Sequence, residues 1–419
     1  MSPRGTPDIG WADLVFGLLR SVWPDDPAAT QARIEGRWSG SRDTLACLSV
    51  RSGLDLLLQA AAWPRGSEVL VSAVTIPDMI TLLEQHGLVP VPIDLDPETL
   101  AVDLDQLRQA ITSRTRAILV AHLFGSRMLL APLVAIAREH GLFVIEDCAQ
   151  AYDAVYRGDP GSDARLWSFG PIKTETALGG AIVQLKDAGL LAQMRRIQSG
   201  YPRQRRMSFA RRVLLMTALK FLARPERFVL FVALCRLLKR DHDRLLYTAV
   251  RGFAGRDLLA RLRHQPSAPL LRLLERRLLH ADADRVARRA AFARRMLDRL
   301  PEHVQLGARA CRHTHWVIPI LSAAPDTLVR VLQAQGFDAT RVASSLICVP
   351  PAPARPRFDP VRTRRWLERI VYLPTYQQVP EHRLAQLARI VREVEAARLE
   401  AGSAAEAVQA LGDHSELIA

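Results

Sequence analysis

The sequence predicts an α/β protein built around a mostly parallel β-sheet that is covered by helices on both faces. Between residues 45 and 195, short apolar runs alternate with amphipathic stretches of helical period. The apolar runs are continuous, which is typical of strands buried on both faces of a parallel sheet. The chain also has 419 residues, more than one core usually supports, so a second, smaller domain is expected.

Strands and helices follow one another regularly through the first half of the chain. Five apolar runs are predicted to be strands, at residues 45–50, 68–72, 89–94, 116–122 and 142–147. The segments between them have a helical period and are predicted to be helices, at residues 52–62, 77–86, 104–111 and 132–139. This alternation is the pattern of βαβ units, whose strands lie parallel.

The chain divides into three predicted parts. Residues 1–200 form a large domain with a helical lead-in, and residues 201–284 form a basic, partly apolar helical insert. Residues 285–419 show an α+β pattern and are expected to form a small C-terminal domain. Its predicted elements are strands at 315–321 and 370–374 and helices at 326–335 and 381–400.

Composition narrows the class of protein. The net charge is +14. A GC-rich genome is one explanation of the arginine excess, and the positive field that results attracts phosphates, nucleic acid or anionic lipid. The five cysteines stand far apart without metal-like spacing, so a reduced, cytoplasmic protein is expected. Neither a signal peptide nor a transmembrane run is recognisable.

Two clusters follow predicted strands, at the edge where ligands of such sheets bind. Ser52 and Gly53 begin the first helix after a strand. Free N–H groups at a helix start bind phosphate, although a plain helix cap explains the same residues. Asp147 ends the strand 142–147, with Gln150 just beyond it. A carboxylate there would keep a heteroaromatic nitrogen protonated; the alternative is again a helix cap.

A third cluster surrounds Lys173, one of only four lysines in the chain. It follows Ser168 and precedes the pair Gly179-Gly180. Lysine forms imines with aldehydes, and burial lowers its pKa toward reactivity. The alternative is a solvated loop lysine.

Together these clusters resemble the DegT/DnrJ/EryC1/StrS family of sugar aminotransferases, which are pyridoxal-phosphate (PLP) enzymes of fold type I. The likeness covers residues 43–200 and returns at Leu373-Pro374. The matching stretches are 51–53, 66–72, 93–100, 111–117, 122–125, 146–151 and 168–173.

The resemblance implies roles for individual residues. Lys173 matches the lysine that holds PLP as a Schiff base and moves the substrate proton, and Asp147 matches the acid that pairs with the ring nitrogen. Gln150 matches the amide near the ring oxygen. The resemblance also implies a phosphate site made of Ser52, Gly53, Ser168 and, by way of the partner subunit of a homodimer, Gln198.

The chain departs from the family pattern in two places. Ile76 stands where the family commonly has an aromatic residue that stacks on the cofactor ring. The insert is larger and more apolar than a plain sugar aminotransferase requires. Lys173 itself distinguishes the chain from relatives that dehydrate deoxysugars, in which histidine is expected at that position.

The function expected from these residues is amino transfer from an amino acid donor to a keto group, on a nucleotide-linked sugar. Two alternatives stay open. One is a PLP enzyme acting on a lipid-linked or amphiphilic substrate at the membrane surface. The other is a non-catalytic, membrane-associated binding protein on the same scaffold. Retention of Asp147, Gln150, Ser168 and Lys173 together argues against the second.

The basic insert has two readings. Residues 201–245 contain twelve Arg or Lys and three Asp or Glu. Two apolar runs, 213–223 and 228–238, are too short to span a bilayer of about 30 Å. Such a hairpin lies either in the interface of an anionic membrane, at its cytoplasmic face, or against the core or a dimer partner. Nucleic acid is not expected because aromatic residues do not alternate with the arginines.

The histidines suggest no metal site. His313 and His315 alternate along a predicted strand, which indicates one shared face. His122 lies at a strand end, where it is either near the pocket or part of the core.

Overall fold

The computed structural model describes residues 5–242, 245–246, 257–341, 345–375 and 379–397. The strands are β1 (Thr44–Cys47), β2 (Glu68–Ser72), β3 (Val74–Thr75), β4 (Val89–Ile93), β5 (Thr115–Ala121), β6 (Ser126–Arg127), β7 (Phe143–Asp147), β8 (Ala164–Ser168), β9 (Ala181–Leu185), β10 (Arg312–His313), β11 (Ile318–Leu321), β12 (Ile347–Cys348) and β13 (Ile370–Leu373).

The helices surround these strands, and residues 381–397 are also helical. They are α1 (Trp11–Val22), α2 (Pro27–Ser39), α3 (Val50–Ala61), α4 (Pro77–Gln85), α5 (Leu104–Ala110), α6 (Ala131–Glu139), α7 (Ala188–Ser199), α8 (Arg206–Leu222), α9 (Pro225–Leu237), α10 (Leu258–Leu262), α11 (Ala268–Leu279), α12 (Ala283–Leu297), α13 (Pro325–Ala334) and α14 (Val361–Leu367).

Seven strands form the central sheet in the order β1-β9-β8-β7-β5-β2-β4. Five neighbouring strands, β8, β7, β5, β2 and β4, run parallel to one another. The β9 strand is antiparallel to both of its neighbours, β8 and β1. The predicted, mostly parallel α/β sheet is therefore confirmed. A loop of twelve residues without a helix, 169–180, connects β8 to β9, and the two strands pair antiparallel.

Apolar side chains fill both faces of the sheet. One core lies between the sheet and α3, α4 and α7, and another lies on the opposite face with α5 and α6. The near-continuous burial of β2, β5 and β9 explains why their sequences are apolar at successive positions.

The insert does not stand apart from the sheet. Its helices α8 and α11 pack with α1 and α2 around a third core that includes Trp167, Phe169 and Ile182 from the β8–β9 edge. The two apolar runs predicted in the insert lie in α8 and α9, which are separated by Ala223 and Arg224. The predicted boundaries at residues 200 and 284 stay predictions.

The C-terminal part has its own core. There β11 pairs antiparallel with β13, and α12, α13 and the helical segment 381–397 pack around them. Two short ladders, β10 with β6 and β12 with β3, join this part to the loops at the edge of the large sheet.

Two expectations from the sequence concern the cysteines and the length of the apolar helices. All five cysteines carry free thiols. Within the described ranges, every helix falls short of the length and apolar content that crossing a bilayer requires.

Candidate active site

The predicted site residues gather at one edge of the sheet. The strands β1, β7 and β8 run in the same direction, so their carboxyl ends meet at this edge, and β9 begins there. Asp147 ends β7, Ser168 ends β8 and α3 starts three residues after β1. Ligands of open α/β sheets bind at such edges.

Lys173 lies in the loop 169–180, which connects β8 to β9. The loop closes on Phe169, whose carbonyl accepts hydrogen bonds from the N–H groups of Ala177 and Gly179, each at 3.0 Å. The Lys173 N–H itself donates to the Gly170 carbonyl at 3.0 Å. These bonds fix the backbone of the loop and leave the lysine side chain free to point toward the sheet edge.

The surroundings of Lys173 favour a neutral amine. Its Nζ lies 4.1 Å from the centre of the Trp316 ring. The pKa of Lys173 is lowered to about 8, mainly by burial; the charge of Asp147 opposes this fall, and the charge of Arg51 adds to it. A lysine near neutrality loses its proton readily, which nucleophilic attack on an aldehyde requires. The predicted alternative, a solvated loop lysine, does not describe these surroundings.

Asp147 is a buried carboxyl whose charge is only partly compensated. Its Oδ1 accepts a hydrogen bond from the Ala149 N–H at 2.9 Å. Burial raises the pKa of Asp147, while this hydrogen bond and the charge of Lys173 oppose the rise. A protonated ring nitrogen placed against Asp147 would supply the opposite charge that the buried carboxylate lacks.

Behind Asp147, the buried Glu146 anchors a polar network that sequence reasoning did not find. Its Oε1 accepts hydrogen bonds from His122 Nε2 at 2.9 Å and the Tyr156 hydroxyl at 2.7 Å. Its Oε2 accepts from the Asp159 N–H and the Ser162 hydroxyl, each at 2.8 Å.

This network keeps Glu146 ionised and explains the role of His122. Burial works to raise the pKa of Glu146, but the His122 and Tyr156 hydrogen bonds outweigh it and bring the pKa to about 2. The Nδ1 of His122 accepts from the Met128 N–H at 3.3 Å, so its Nε2 is the donor to Glu146. His122 is a satisfied core histidine one layer behind the site.

Gln150 and Ser168 lie beside the edge as predicted from their positions. The Oε1 of Gln150 accepts from the Phe124 N–H at 2.8 Å, which ties it to the loop after β5. The Oγ of Ser168 accepts weakly from the Gly170 N–H at 3.4 Å.

The start of α3 combines a cap with close packing. Ser49 is the helix cap, since its Oγ accepts from the Ser52 N–H at 3.1 Å. The Ser52 hydroxyl donates to the Leu262 carbonyl at 2.9 Å. A Cβ on Gly53 would lie 2.4 Å from Val183 Cγ2, so glycine lets α3 approach β9 closely.

Ile76 and Gln198 have contacts that the resemblance did not predict. Ile76 precedes α4 and packs against the core on that face. Gln198 is buried within its own chain, where its Nε2 donates to the Ala46 carbonyl at 3.0 Å and its Oε1 accepts from Gln31 at 3.2 Å. Its predicted contact with the phosphate of a partner subunit remains a prediction.

Two arginines make the start of α3 positive. Arg51 is in the first turn of α3 and pairs with Asp78. Arg212 enters from the insert and donates to the Leu178 carbonyl at 3.1 Å. Burial lowers the pKa of Arg212, as does the charge of Arg51. Sequence reasoning missed Arg212 because it stands far from the other site residues in the chain.

The donor set fits PLP. A half-buried lysine with a lowered pKa suits an aldehyde, and a buried carboxyl at a strand end suits a protonated ring nitrogen. A helix start with arginines beside it suits a phosphate.

The sequence comparisons agree with this chemistry. Residues 31–218 match the model of the DegT/DnrJ/EryC1/StrS aminotransferase family, which confirms the predicted resemblance over that segment. GDP-perosamine synthase of Caulobacter vibrioides is 32% identical over 189 residues, which are 44% of this chain and 51% of that protein. The chain thus spans about half the length of this relative.

Solved structures share the fold over nearly the whole chain. The sugar aminotransferase CalS13 from Micromonospora echinospora matches with a TM-score of 0.63 and 21% identity, covering 94% of this chain and all of its own. DesI, solved in the presence of its TDP-sugar product, matches with a TM-score of 0.64 and 23% identity, covering 96% of each chain. These likenesses show that the chain shares the fold of those proteins.

Proposed function

We propose that this chain, whose residues 31–218 match the DegT/DnrJ/EryC1/StrS aminotransferase family, is a PLP-dependent aminotransferase. It would move an amino group from an amino acid donor to a keto group on a nucleotide-linked sugar. The observation that carries the proposal is the approach of a half-buried lysine with a pKa of about 8 to the buried carboxyl of Asp147. The names of the relatives, which act in nucleotide-sugar chemistry, support the acceptor class.

Different residues of the site would hold different parts of the cofactor. PLP, when bound, supplies an aldehyde and a ring that accepts electrons. Lys173 would hold the aldehyde carbon, Asp147 the ring nitrogen and the start of α3 with Ser168 the phosphate.

Lys173 also has the chemistry of the proton carrier. A lysine whose pKa is near 8 exchanges its proton at neutral pH, which suits a group that takes a proton from one atom and returns it to another. The Trp316 ring lies beside its Nζ.

The test is reduction of the cofactor adduct in the full chain. Borohydride treatment followed by peptide mapping should place a reduced adduct on Lys173, and the pure protein should absorb in the visible range until it is reduced. Lys173→Ala should abolish both signals. An adduct on Lys186, Lys220 or Lys239 in the wild type would refute the assignment.

The acceptor and the assembly need separate tests. A homodimer with sites at its interface is part of the proposal, and sedimentation of the holoenzyme tests it. Half-reaction spectra with a panel of amino donors and keto acceptors test the substrate class. A lipid-linked acceptor is a second candidate, because the insert that supplies Arg212 also carries exposed apolar helix faces. Cytoplasmic location, with contact at the inner membrane face, stays part of this proposal.

A further inference from the structure

Three helices that pack on one another, α1, α8 and α9, each carry exposed large apolar side chains. Both α1 and α9 pack against α8. Large apolar side chains on these helices and at their ends are between 40% and 79% exposed. We call this surface, made by the outward sides of residues 11–23, 207–221 and 229–238, the apolar face.

On α1 the exposed residues follow the helical period. Trp11, Val15, Leu19 and Val22 share one side of the helix and are all exposed. The opposite side is buried, and a Cβ on Gly17 would lie 3.3 Å from Val213 Cγ2 in α8. The helix is therefore docked through its inner side, and its outer apolar side is exposed.

The α9 helix is also buried on one side only. Phe228 and Val232 are at most 4% exposed, whereas Leu230, Leu234 and Leu237 are between 54% and 79% exposed. A soluble helix normally turns polar residues outward, so leucine at these positions indicates that something covers them.

The charge around the apolar face is strongly positive. Residues 201–240 contain eleven Arg or Lys and a single acidic residue, Glu226. Exposed cations flank the apolar positions at Arg211, Arg224 and Lys239. Tryptophan stands at both ends of α1, and the Lys220 ammonium lies 5.7 Å from the Trp11 ring centre.

We propose that the apolar face rests on an anionic lipid bilayer, with its leucines and tryptophans in the interface and its cations among the lipid headgroups. Apolar side chains rimmed by lysine and arginine, with tryptophan at the edges, are the side chains that this environment favours. At 13 residues, α9 measures about 20 Å and does not reach across a core of about 30 Å. It therefore lies along the surface.

A second copy of the chain fits the apolar face less well than an anionic lipid surface does. A two-fold contact would place the same surface against itself. Each side would then bring the net charge of +10 that residues 201–240 carry, and like charges facing each other oppose such a contact. An anionic lipid surface instead satisfies the apolar and the charged residues together.

Vesicle flotation of the full chain with PLP tests the proposal. The protein should float with vesicles that contain phosphatidylglycerol and sediment with vesicles of phosphatidylcholine alone. Raising the salt concentration should weaken binding, because the screening length falls from about 8 Å at physiological ionic strength to about 3 Å at 1 M.

Matched variants locate the contact. Leu230→Ser with Leu234→Ser should weaken vesicle binding at least about tenfold, whereas Leu129→Ser with Val155→Ser, two exposed positions elsewhere, should leave it unchanged. If the α9 variant fails to fold by circular dichroism, Val15→Ser with Leu19→Ser on α1 replaces it.

Two results would overturn the proposal. One is the absence of flotation with anionic vesicles at low salt. The other is sedimentation showing that the α9 or α1 variant splits an oligomer while vesicle binding is unaffected, which would assign the apolar face to a contact between copies. Flotation requires no turnover, so its outcome is independent of whether the aminotransferase proposal holds.

Discussion

At the scale of single residues, the neutral form of Lys173 controls how the apoenzyme captures its cofactor. Burial brings the pKa of Lys173 to about 8. Only the neutral amine attacks an aldehyde, so the capture rate should rise with pH and level off above a midpoint near 8. Stopped-flow absorbance on PLP addition to the apoenzyme measures this profile. A rate that does not change between acid and neutral pH would contradict it.

The charge of Asp147 sets part of that midpoint. Asp147 favours the protonated lysine and so holds the pKa of Lys173 above what burial alone would give. Asp147→Asn should therefore move the midpoint of capture to lower pH. A midpoint that stays in place or rises would show that the two groups do not interact.

Asp147→Asn should also separate binding from turnover. A neutral amide cannot hold a protonated ring nitrogen, so the variant should bind PLP yet lose turnover by about a hundredfold or more, as when one preorganised electrostatic contact is removed. Absorbance reports the bound cofactor and a half-reaction with an amino donor reports turnover. Turnover near that of the wild type would show that Asp147 only caps the turn at Ala149 and takes no part in the reaction.

At the scale of elements, Glu146 fastens the end of β7 to the loop that follows it. Both of its oxygens accept two or more hydrogen bonds inside the protein. Glu146→Gln would set amide hydrogens against some of these donors, and leaving a buried hydrogen-bonding group unsatisfied costs about 1–3 kcal/mol. Chemical denaturation should show a loss of this order. A change below about 1 kcal/mol would contradict the assigned network.

The same network predicts an acid profile. The pKa of Glu146 is about 2 in the folded chain against an ordinary value of 4.5. Because the folded pKa is depressed, the contribution to stability is complete above about 4.5 and is lost as the pH falls toward 2. Glu146→Gln should flatten the stability profile within that window, and the difference between the two proteins should shrink with acidification.

Gly53 determines how closely α3 packs on the sheet. An added Cβ would lie 2.4 Å from Val183 Cγ2, so Gly53→Ala should destabilise the fold by about 1–3 kcal/mol through overpacking. Adding Val183→Ala should recover part of the loss, because it removes the clashing methyl. Thermal denaturation of both single variants and the double variant measures the coupling. Purely additive effects would show that α3 shifts away from β9 instead.

The sequence predicted the positions of strands and helices better than it predicted how these elements are arranged against one another. Five strands, namely β1, β2, β4, β5 and β7, were predictable because each is a continuous apolar run, and Lys173 because it is rare and stands before paired glycines. An apolar run carries no direction, however, so the reversed strand β9 was not predicted. Glu146 and Arg212 escaped because their partners lie in loops and helices distant along the chain.

At the scale of the whole molecule, the large sheet and the C-terminal part meet around the loop 169–180, which carries Lys173. Trp316, from the C-terminal part, covers Lys173 and donates from its Nε1 to the Ile172 carbonyl at 2.8 Å. Arg289 in α12 donates to the Thr174 hydroxyl at 3.2 Å. The loop that carries the lysine is thus held between the large sheet and the smaller core.

This arrangement predicts that cofactor binding stabilises both parts together. A ligand at a hundred times its dissociation constant adds about 2.7 kcal/mol to the stability of the state that binds it. On PLP addition, amide hydrogen exchange should slow both in the loop 169–180 and in the segment 312–318, because each restrains the other. Lys173→Ala should lose most of this protection. Protection confined to 169–180 would show that the C-terminal part moves independently of the site.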